Sequence, residues 1–476
     1  MTQAAATKDS EPELKRVIGP GLLLLFIVGD ILGTGVYGLT GKIAGQVGGA
    51  AWLPFLLAFA IATVTAFSYL ELVTKYPQAA GAALYTHKAF GIHFVTFLVT
   101  FVVMCSGITS ASTASQVFGE NLFRGITGED GSRVGVALVA LGFMAVLAAV
   151  NFRGVTESVG LNVVLTIVEI AGLTTVLLAG LWAFTQGGDV DFSRVVAFET
   201  AGDKNAFLAV TAATSLAFFA MVGFEDSVNM AEETKDPVRI FPKVLLTGLG
   251  IAGLVYILVS IVAVALVPVG DLRTSSTPLV DVVAAADVGI PIETLFPFIT
   301  MIAVSNTALI NMLMASRLIY GMARQRVLPR PLGTVHATRR SPWVAILFTT
   351  TIAFGLIVYV SLFASDSAVE VLGGTTSLLL LAVFAVVNIA VLVLRRDVRA
   401  GGGHFTTPTA LPVIGCLASA YLVLPTSGRP LSQYLVAGAL VLVGVVLYLL
   451  TRLVNRQLGI REARIIDPAE LDSAPD

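Results

Sequence analysis

The fold of this chain is decided by the stretch Val28-Gly29-Asp30-Ile31-Leu32-Gly33-Thr34-Gly35-Val36-Tyr37, inside an apolar run from about Pro20 to Ala44. At about 1.5 Å per residue, a helix over this run is long enough to cross a bilayer. The glycines around Thr34 predict a break, with the helix resuming at Val36. Because unpaired backbone groups are costly in hydrocarbon, such a break persists only where it faces protein or a ligand cavity. The resuming helix starts with free N–H groups and partial positive charge, which predicts an anion site.

Composition places the whole chain in the membrane. Of its 476 residues, 56% are hydrophobic and 13% are charged, and the mean hydropathy is +0.88. Soluble domains carry about 25% charged residues. The net charge of −2 gives no nucleic-acid signal, and Cys105 and Cys416 form no disulfide or metal framework. We expect an all-α membrane protein that is not an enzyme and has no cofactor, metal or nucleic-acid partner.

The apolar runs predict twelve membrane-spanning helices, which we number as spans 1 to 12. Their approximate bounds are 20–44, 51–74, 91–119, 134–151, 158–184, 206–232, 243–268, 293–323, 342–363, 368–394, 409–425 and 431–453. Of the 29 Lys and Arg residues, 22 fall in the terminal segments and the connections on the same side as them. By the positive-inside rule, we expect both termini to be cytoplasmic in a multi-pass protein of the cell membrane. Residues 1–19 are polar and mixed in charge, which argues against a cleavable signal peptide.

Span 6 repeats the peculiarity of span 1. Its run Phe218-Phe219-Ala220-Met221-Val222-Gly223-Phe224-Glu225-Asp226 interrupts apolar sequence with a glycine and two adjacent carboxylates. Broken helices at corresponding positions are the best sequence indication of an inverted repeat in a transporter. We therefore expect two five-helix repeats over 19–184 and 205–394, helices 11 and 12 over 409–453, and cytoplasmic tails over 1–18 and 454–476.

The glycine cluster admits other interpretations. Gly33-Thr34-Gly35-Val36-Tyr37-Gly38 matches the dinucleotide pattern G-x-G-x-x-G. However, no strand precedes it, no acidic residue follows at the required distance, and it lies within a spanning run. Gly29 and Gly33 also fit a small-residue motif for close helix packing. The break therefore serves either ligand binding, through Gly33, Thr34 and Gly35, or packing alone.

Span 6 offers further candidates for the site. Glu225 and Asp226 start the second half of this span, where one carboxylate is expected to cap the helix and the other, Glu225, to face the pocket. Phe219 precedes the break, as a lid over the ligand or as a packing residue.

Two acidic residues are candidates for proton coupling. Glu169 lies 11 residues after Ser158, which is about 16 Å along the helix and half of a ~30 Å hydrocarbon core. A carboxylate at mid-membrane is a functional candidate by default, and Asp30 is placed at a similar depth. The alternative for Glu169 is a structural hydrogen bond, to Asn162 or Ser305.

The polar residues Ser305 and Thr307 on span 8 are a candidate cation site, or ordinary hydrogen-bonding groups between helices. Glu71 lies four residues before Lys75, so an ion pair along span 2 accounts for it.

In combination, several motifs resemble the amino acid–polyamine–organocation superfamily, nearest to its amino acid permease and cationic amino acid transporter branch. The likeness covers nearly the whole chain and is densest over 19–395. It is carried by Gly29-Asp30-Ile31-Leu32-Gly33-Thr34-Gly35-Val36-Tyr37, Glu71-Leu72-Val73-Thr74-Lys75-Tyr76-Pro77, Ala80-Gly81-Ala82-Ala83-Leu84-Tyr85, Gly223-Phe224-Glu225, Ala231-Glu232-Glu233-Thr234-Lys235-Asp236-Pro237 and Ser316-Arg317-Leu318-Ile319-Tyr320-Gly321-Met322-Ala323-Arg324.

The resemblance implies a leucine-transporter-type fold, with a 5+5 inverted repeat and alternating access. It implies that N–H groups around Gly33, Thr34 and Gly35 bind the substrate carboxylate. It also implies that carbonyls near Phe219, Ala220 and Gly223 bind the substrate ammonium. In many proton-coupled members a lysine on the fifth helix reaches the break. Glu169 takes that place here, and Asp30 stands where the family usually has a small residue.

The leading functional hypothesis is a secondary active transporter of amino acids across the cell membrane, coupled to protons by symport rather than to sodium. The alternative within transport is a polyamine or cationic amino acid carrier or exchanger, because Asp30, Glu225 and Asp226 add negative charge near the site. A different class is a membrane sensor that binds an amino acid without moving it. The sequence leaves the oligomeric state open.

Overall fold

The computed structural model describes residues 16–78, 81–153, 158–186, 190–200, 205–289, 291–324, 327–339, 341–364, 367–397 and 403–457. Within residues 158–162 only the backbone is described, so the Asn162 side chain lies outside the description. Most of the predicted tails, 1–18 and 454–476, also lies outside the described residues.

The described residues form helices and contain no β-strand. Sixteen α-helices follow one another: α1 Pro20–Ile31, α2 Thr34–Val47, α3 Trp52–Lys75, α4 Gly81–Phe90, α5 His93–Thr127, α6 Arg133–Arg153, α7 Ser158–Gln186, α8 Ala206–Ala217, α9 Pro237–Leu266, α10 Val269–Thr274, α11 Pro278–Ala285, α12 Ile292–Arg324, α13 Trp343–Phe363, α14 Ala368–Leu394, α15 Ala410–Val423 and α16 Leu431–Gln457. The two longest helices, α5 and α12, pack against each other, and α5 also contacts α14 and α6.

In the described part of the chain, eleven helical segments are long and apolar enough to cross a membrane. They correspond to spans 1–10 and span 12, so the prediction of a multi-pass helical membrane protein is confirmed. Predicted span 11 is the shorter apolar helix α15, whose 14 residues reach about 21 Å.

Span 1 is interrupted where its glycines begin. Helix α1 ends at Ile31, Leu32 and Gly33 link the two halves, and α2 begins at Thr34, two residues earlier than predicted. A Cβ atom on Gly33 would collide with the Thr307 hydroxyl of α12, so a larger residue here would displace that side chain. Close packing and a helix break therefore coexist at this glycine.

Span 6 is interrupted more extensively than span 1. Helix α8 ends at Ala217, a 3₁₀ turn covers Phe218–Met221, and Val222 is extended. Gly223 follows with φ +121°, a left-handed conformation that favours glycine. The second half is not an α-helix but a five-residue 3₁₀ helix, Asp226–Met230.

The two interruptions cross each other in direct contact. A Cβ atom on Gly223 would lie 2.7 Å from the Asp30 carbonyl oxygen, and one on Gly35 would lie 2.5 Å from the Cα atom of Ala220. Both glycines therefore let one backbone approach the other where side chains would hold them apart. The non-helical parts of two distant segments meet in the protein interior, which is where a spanning protein tolerates them.

Hydrogen bonds join connecting segments that are predicted to lie on the same side of the membrane. The N–H group of Ile18 donates to the Glu233 carbonyl, and the Lys235 N–H donates back to Ile18, all in segments predicted to be cytoplasmic. On the opposite side, the Lys42 ammonium donates to the carbonyls of Arg273 and Ser275.

The ion pair predicted between Glu71 and Lys75 is wrong. The buried Glu71 carboxylate instead accepts two hydrogen bonds from the Arg395 guanidinium, at 2.7 and 2.8 Å, and a third from the Thr407 N–H. The Lys75 ammonium donates to the carbonyls of Leu394 and Asp397. Helix α3 is thereby tied to the end of α14, because Arg395 reaches Glu71 with a planar, two-pronged donor geometry that a lysine lacks.

We expect Arg395→Leu to lower the free energy of unfolding by about 3 kcal/mol, because it leaves a buried carboxylate without its partner. Thermal melting of the purified protein in detergent measures the change. Arg396→Leu is the matched control, since Arg396 is exposed and adjacent in sequence. Equal melting temperatures for the two variants would contradict the stabilising role of the pair.

The C-terminal helices are attached through a buried arginine. Arg429, in the connection between α15 and α16, is only 7% exposed. Its guanidinium donates to the carbonyls or side-chain oxygens of Leu422, Gly374, Gln433, Ser215 and Ser377. These bonds fasten α15 and α16 to α14 and α8.

Candidate functional site

A small cavity lies where the two interrupted spans cross. Its wall combines both breaks with α5 and α12, through Asp30, Ile31, Gly33, Thr34, Gly35, Ser110, Phe219, Val222, Gly223, Asp226, Thr307 and Asn311. The structure thus brings together most of the residues predicted to bind substrate. Ala220 and Glu225 are absent from this wall.

One end of the cavity suits an anion. Helix α2 begins here without a side-chain cap, because its N-cap residue is Gly33. The first N–H groups of a helix have no partner within it, and the helix dipole adds positive potential. The Thr34 hydroxyl is 1% exposed and has no hydrogen-bond partner among the described residues. A carboxylate placed here would meet several aligned donors.

Another part of the same cavity wall carries acidic side chains and therefore suits a cation. Asp30 is 5% exposed, and its Oδ2 atom lacks a hydrogen-bond partner in the described structure. Its carboxylate interacts electrostatically with those of Asp226 and Glu225. Among the residues that the structure describes, no Lys, Arg or His side chain lines the cavity. Uncompensated carboxylates at such depth are expensive unless they bind protons or cations.

The Glu225 carboxylate is hydrogen-bonded within its own loop. Its Oε2 atom accepts a hydrogen bond of 2.9 Å from the N–H group of Gly223, two residues earlier in the chain. This bond closes the loop in which Gly223 takes its left-handed conformation. Glu225 therefore stabilises the turn that precedes it and makes no capping hydrogen bond to the 3₁₀ turn that follows. Its pocket role stays a prediction.

Phe219 and Ala220 occupy different positions around the break. Phe219 is 4% exposed and lies on the cavity wall, near Gly373 of α14. That position is compatible with both the lid and the packing interpretation. The backbone of Ala220 packs against Gly35.

Glu169 lies behind the break rather than on the cavity wall. Its side chain is fully buried, and neither carboxylate oxygen has a hydrogen-bond partner among the described groups. Its carboxyl group interacts electrostatically with that of Asp30, the other residue predicted to couple protons. The Tyr37 hydroxyl donates to the backbone carbonyl of Glu169 at 3.2 Å, and the Tyr256 hydroxyl donates to the Ile31 carbonyl at the end of α1.

The two predicted cation ligands on α12 are not brought together. Thr307 lines the cavity, and its hydroxyl has no partner among the described residues. The Ser305 hydroxyl donates to the carbonyl of Met301 at 2.6 Å and is absent from the cavity wall. Residues two apart on a helix face different directions, which accounts for the separation. In the described part of the chain, no group of three or more His, Cys, Asp or Glu is arranged to hold a metal ion.

Two further small cavities continue from the first one. The second is lined by Val222, Glu225, Asp226 and Asn311, together with Ser106 and Gly107 of α5. The third also includes Glu225 and Asp226, and it reaches Gly81, Ala82 and Ala83 at the start of α4. Asp226 lines all three. The series leads from the crossing of the breaks toward the side predicted to be cytoplasmic.

Sequence analysis missed part of this wall. Ser110 and Asn311 lie within long helices and have no local signal beyond being polar in an apolar run. Of the two adjacent acids, the sequence favours Glu225 for the pocket, whereas Asp226 is the carboxylate that lines the crossing. The choice between adjacent acids depends on a backbone turn that the sequence does not specify.

A family comparison identifies this architecture. The model of the family described as amino acid permease matches residues 22–447, which is most of the chain. The chain belongs to the amino acid permease family. Its broken helices and buried cavity are therefore those of a membrane transport protein rather than an enzyme.

Individual relatives of this permease differ in their named substrates. Cationic amino acid transporter 9 of Arabidopsis thaliana is 28% identical over 71% of this chain, which spans 60% of that relative's length. The methylthioribose transporter of Bacillus subtilis is 26% identical, covering 88% of this chain and 89% of the relative. A branched-chain amino acid permease of the same organism is 24% identical, covering 94% and 95%. The matches support amino acid transport in general.

Proposed function

We propose that this permease is a secondary active transporter of amino acids that works by alternating access. The observation that carries the proposal is the cavity at the crossing of the two interrupted spans. It offers donors for a carboxylate at the start of α2, and carboxylate oxygens of Asp30 and Asp226 within the same wall. An α-amino acid carries the two complementary charges, ammonium and carboxylate, on groups attached to the same carbon.

In the proposed complex, the substrate carboxylate binds the N–H groups around Gly33, Thr34 and Gly35 and the Thr34 hydroxyl. The ammonium faces the segment from Phe219 to Gly223, which is not α-helical. The carbonyls of Phe219 and Gly223 each accept one backbone N–H group there, from Val222 and Asp226, and each carbonyl oxygen has a second lone pair for the ammonium. Phe219 covers the ligand from one side. Thr307, whose hydroxyl has no partner in the described structure, contributes a further polar contact.

The proposed architecture contains twelve spans, with the short helix α15 as span 11. Spans 1–5 and 6–10 form two inverted five-helix repeats over 19–184 and 205–394, and spans 11 and 12 follow over 409–453. The interrupted first helix of each half supports this arrangement. The protein is placed in the cell membrane with both tails, 1–18 and 454–476, in the cytoplasm.

Alternating access is supported by the series of cavities. They share lining residues and extend from the site past Asp226 and Glu225 to the start of α4, which marks a path for substrate toward the side predicted to be cytoplasmic. Exposing the site to the other side requires the crossed segments to move against α5 and α12. The glycines and 3₁₀ turns at the crossing allow such movement, because they leave few helical hydrogen bonds to break.

A proton is the proposed coupling ion. Glu169 and Asp30 are both buried and interact electrostatically, and protonation would satisfy their unpartnered oxygens. Two interacting carboxylates in a buried site do not both ionise easily, so one retains a proton until water enters. The alternative coupling ion is sodium. Of its two predicted ligands, Ser305 and Thr307, only Thr307 lies on the cavity wall.

The carboxylate requirement is tested with pairs of probes that differ only in that group. We expect leucine and lysine to raise the melting temperature of the purified protein more than isopentylamine and cadaverine, their decarboxylated counterparts. Affinity should fall by about tenfold or more without the carboxylate, which is the loss expected for a group bound by charge-assisted hydrogen bonds. Tighter binding of the amines would favour a polyamine carrier. Binding without uptake into proteoliposomes would favour a sensor.

A further inference from the structure

The buried Arg429 is held without a carboxylate. It lies in the connection between α15 and α16, is 7% exposed, and makes no ion pair with a described Asp or Glu residue. A guanidinium has five N–H donors, and here they are matched by five neutral oxygens. The acceptors are the carbonyls of Leu422, Gly374 and Ser215 and the side chains of Gln433 and Ser377, at 2.7 to 3.2 Å. Because every donor is used, the guanidinium acts on these acceptors and not on a ligand.

Stability alone accounts poorly for an arginine at this place. A buried charge carries a desolvation penalty that hydrogen bonds to neutral groups only partly offset, and an apolar side chain of similar volume avoids that penalty. The property peculiar to arginine is its planar fork of donors, which fixes several acceptors relative to one another. The groups that Arg429 fixes therefore indicate its role.

Two of the acceptors lie close to Phe219, which lines the cavity at the crossing. Ser215 lies four residues before Phe219, in the last turn of α8. Gly374 lies on α14 next to Gly373, where a Cβ atom would come within 3.3 Å of the Phe219 ring. Arg429 thus joins the end of α8 to the part of α14 on which Phe219 packs.

Ser377 of α14 completes this junction. Its hydroxyl accepts a hydrogen bond from Arg429 at 2.7 Å and donates one to the Ser215 carbonyl, which also accepts from Arg429 at 3.2 Å. Carbonyl groups in the last turn of a helix lack the partners of a continuing α-helix and favour a positive charge nearby. The guanidinium and the hydroxyl therefore cap α8 immediately before its interruption.

The rest of the connection between α15 and α16 also lies along α8. The Thr211 hydroxyl donates to the Ser427 carbonyl at 3.1 Å. A Cβ atom on Gly428 would lie 3.0 Å from the Leu208 side chain. Leu208, Thr211 and Ser215 are spaced three and four residues apart, so they share one face of the helix. This half-helix of 12 residues is therefore bound along one face by a segment outside the two predicted repeats.

We infer that Arg429 is a positioning residue of the transport site. By capping α8 and joining it to α14, its guanidinium holds Phe219 and the interruption that follows in the arrangement that binds substrate. Arg429 is not part of the three described cavity walls, so it acts through Ser215 and Gly374. The inference rests on the proposed transport function, and it assigns a part in substrate binding to the connection between spans 11 and 12.

The test compares Arg429→Leu with the wild type in binding free leucine or free lysine, whichever the wild type binds more tightly. Without the guanidinium the substrate-binding arrangement is less populated, which lowers the apparent affinity. We expect about tenfold weaker binding to the purified full-length protein, as for loss of a hydrogen bond to a charged group, and a KM of uptake raised to the same extent. Maximal uptake per folded protein should fall less. Arg429→Lys should restore part of the affinity, because an ammonium keeps the charge and has three donors.

Hydrogen–deuterium exchange gives a second readout that needs no substrate. In Arg429→Leu the backbone amides of residues 218–226 should exchange about tenfold faster, because the interruption opens more readily. Arg395→Leu is the matched control, since it also removes a guanidinium from a buried network and lowers the melting temperature. The hydrogen bonds of Arg395 go to α3 and to the segment before α15, and none goes to α8. This control should leave the affinity and the exchange of 218–226 unchanged.

Wild-type affinity and exchange in Arg429→Leu would overturn the inference. An equal loss of affinity in Arg395→Leu would also overturn it, because general destabilisation would then be the cause. If no amino acid binds the wild type, the proposed function is wrong, and the exchange of 218–226 still decides the positioning role. If Arg429→Leu does not fold, Ser377→Ala replaces it and should change affinity and exchange about threefold in the same directions, as for loss of a neutral hydrogen bond. Unchanged values in Ser377→Ala would contradict the role of the junction.

Discussion

A Glu169→Gln variant is expected to bind substrate and exchange it across the membrane, but not to accumulate it on a pH gradient. With one proton per substrate, a gradient of about two pH units sustains about 100-fold accumulation, since each unit is worth about 1.4 kcal/mol. The variant should stay near equal concentrations on both sides. Glutamine preserves the shape of the side chain and removes the proton that it can carry.

The physical reason lies in the surroundings of Glu169. Its carboxyl group is fully buried, and neither oxygen accepts a hydrogen bond from a described residue. The neutral acid has the lower free energy in such surroundings, because burying an isolated charge carries a large desolvation penalty. Movement of the crossed segments that admits water reverses this preference and releases the proton. Asp30 strengthens the effect, as the two carboxylates interact.

The measurement is uptake into proteoliposomes with an imposed pH gradient, with and without sodium, alongside counterflow. Glu120→Gln serves as the control, because Glu120 is another acid within a spanning helix, α5, but lies outside the cavity walls. Concentrative uptake by Glu169→Gln would rule out this residue as the coupling group. A wild type that responds to sodium and ignores pH would rule out the proton.

Replacement of Gly35 by alanine should abolish uptake and lower the melting temperature. The added Cβ atom would lie 2.5 Å from the Cα atom of Ala220 and 3.0 Å from its backbone nitrogen. Both partners are backbone, so neither can move aside as a flexible side chain would. Overpacking of this kind costs about 1–3 kcal/mol, and here it also separates the two breaks that form the cavity.

A control substitution at another glycine shows whether the loss of uptake is specific to the crowded position of Gly35. Gly321 lies within α12, and a Cβ atom there would meet nothing within 4 Å. Gly321→Ala should therefore transport normally and melt at the same or a slightly higher temperature, because alanine favours helix. Adding Ala220→Gly to the Gly35→Ala variant should not restore uptake, since the closest atom is the Ala220 Cα. Normal uptake by Gly35→Ala would contradict the crossing of the breaks as the transport site.

The sequence alone determined the class of protein and most of its helices. Long apolar runs must become helices when they lie in hydrocarbon, because every backbone polar group needs a partner. The interruptions at Gly33 and Gly223 were likewise visible, since glycine and adjacent polar residues are local properties of the chain. Helix α2 begins two residues earlier than the sequence pattern predicts, and a short 3₁₀ turn, Asp226–Met230, forms where the pattern predicts a helix.

The tertiary structure decided which of these elements meet. Glu71 reaches Arg395, 324 positions away, instead of its helical neighbour Lys75. Asp30 and Glu169 interact because α1 packs against α7. The second half of span 1 also contacts α7, since the Tyr37 hydroxyl of α2 donates to the Glu169 carbonyl across 132 positions. Asp226, rather than Glu225, lines the crossing because of a single left-handed glycine. Such contacts depend on how whole helices pack, and no local pattern of residues encodes that packing.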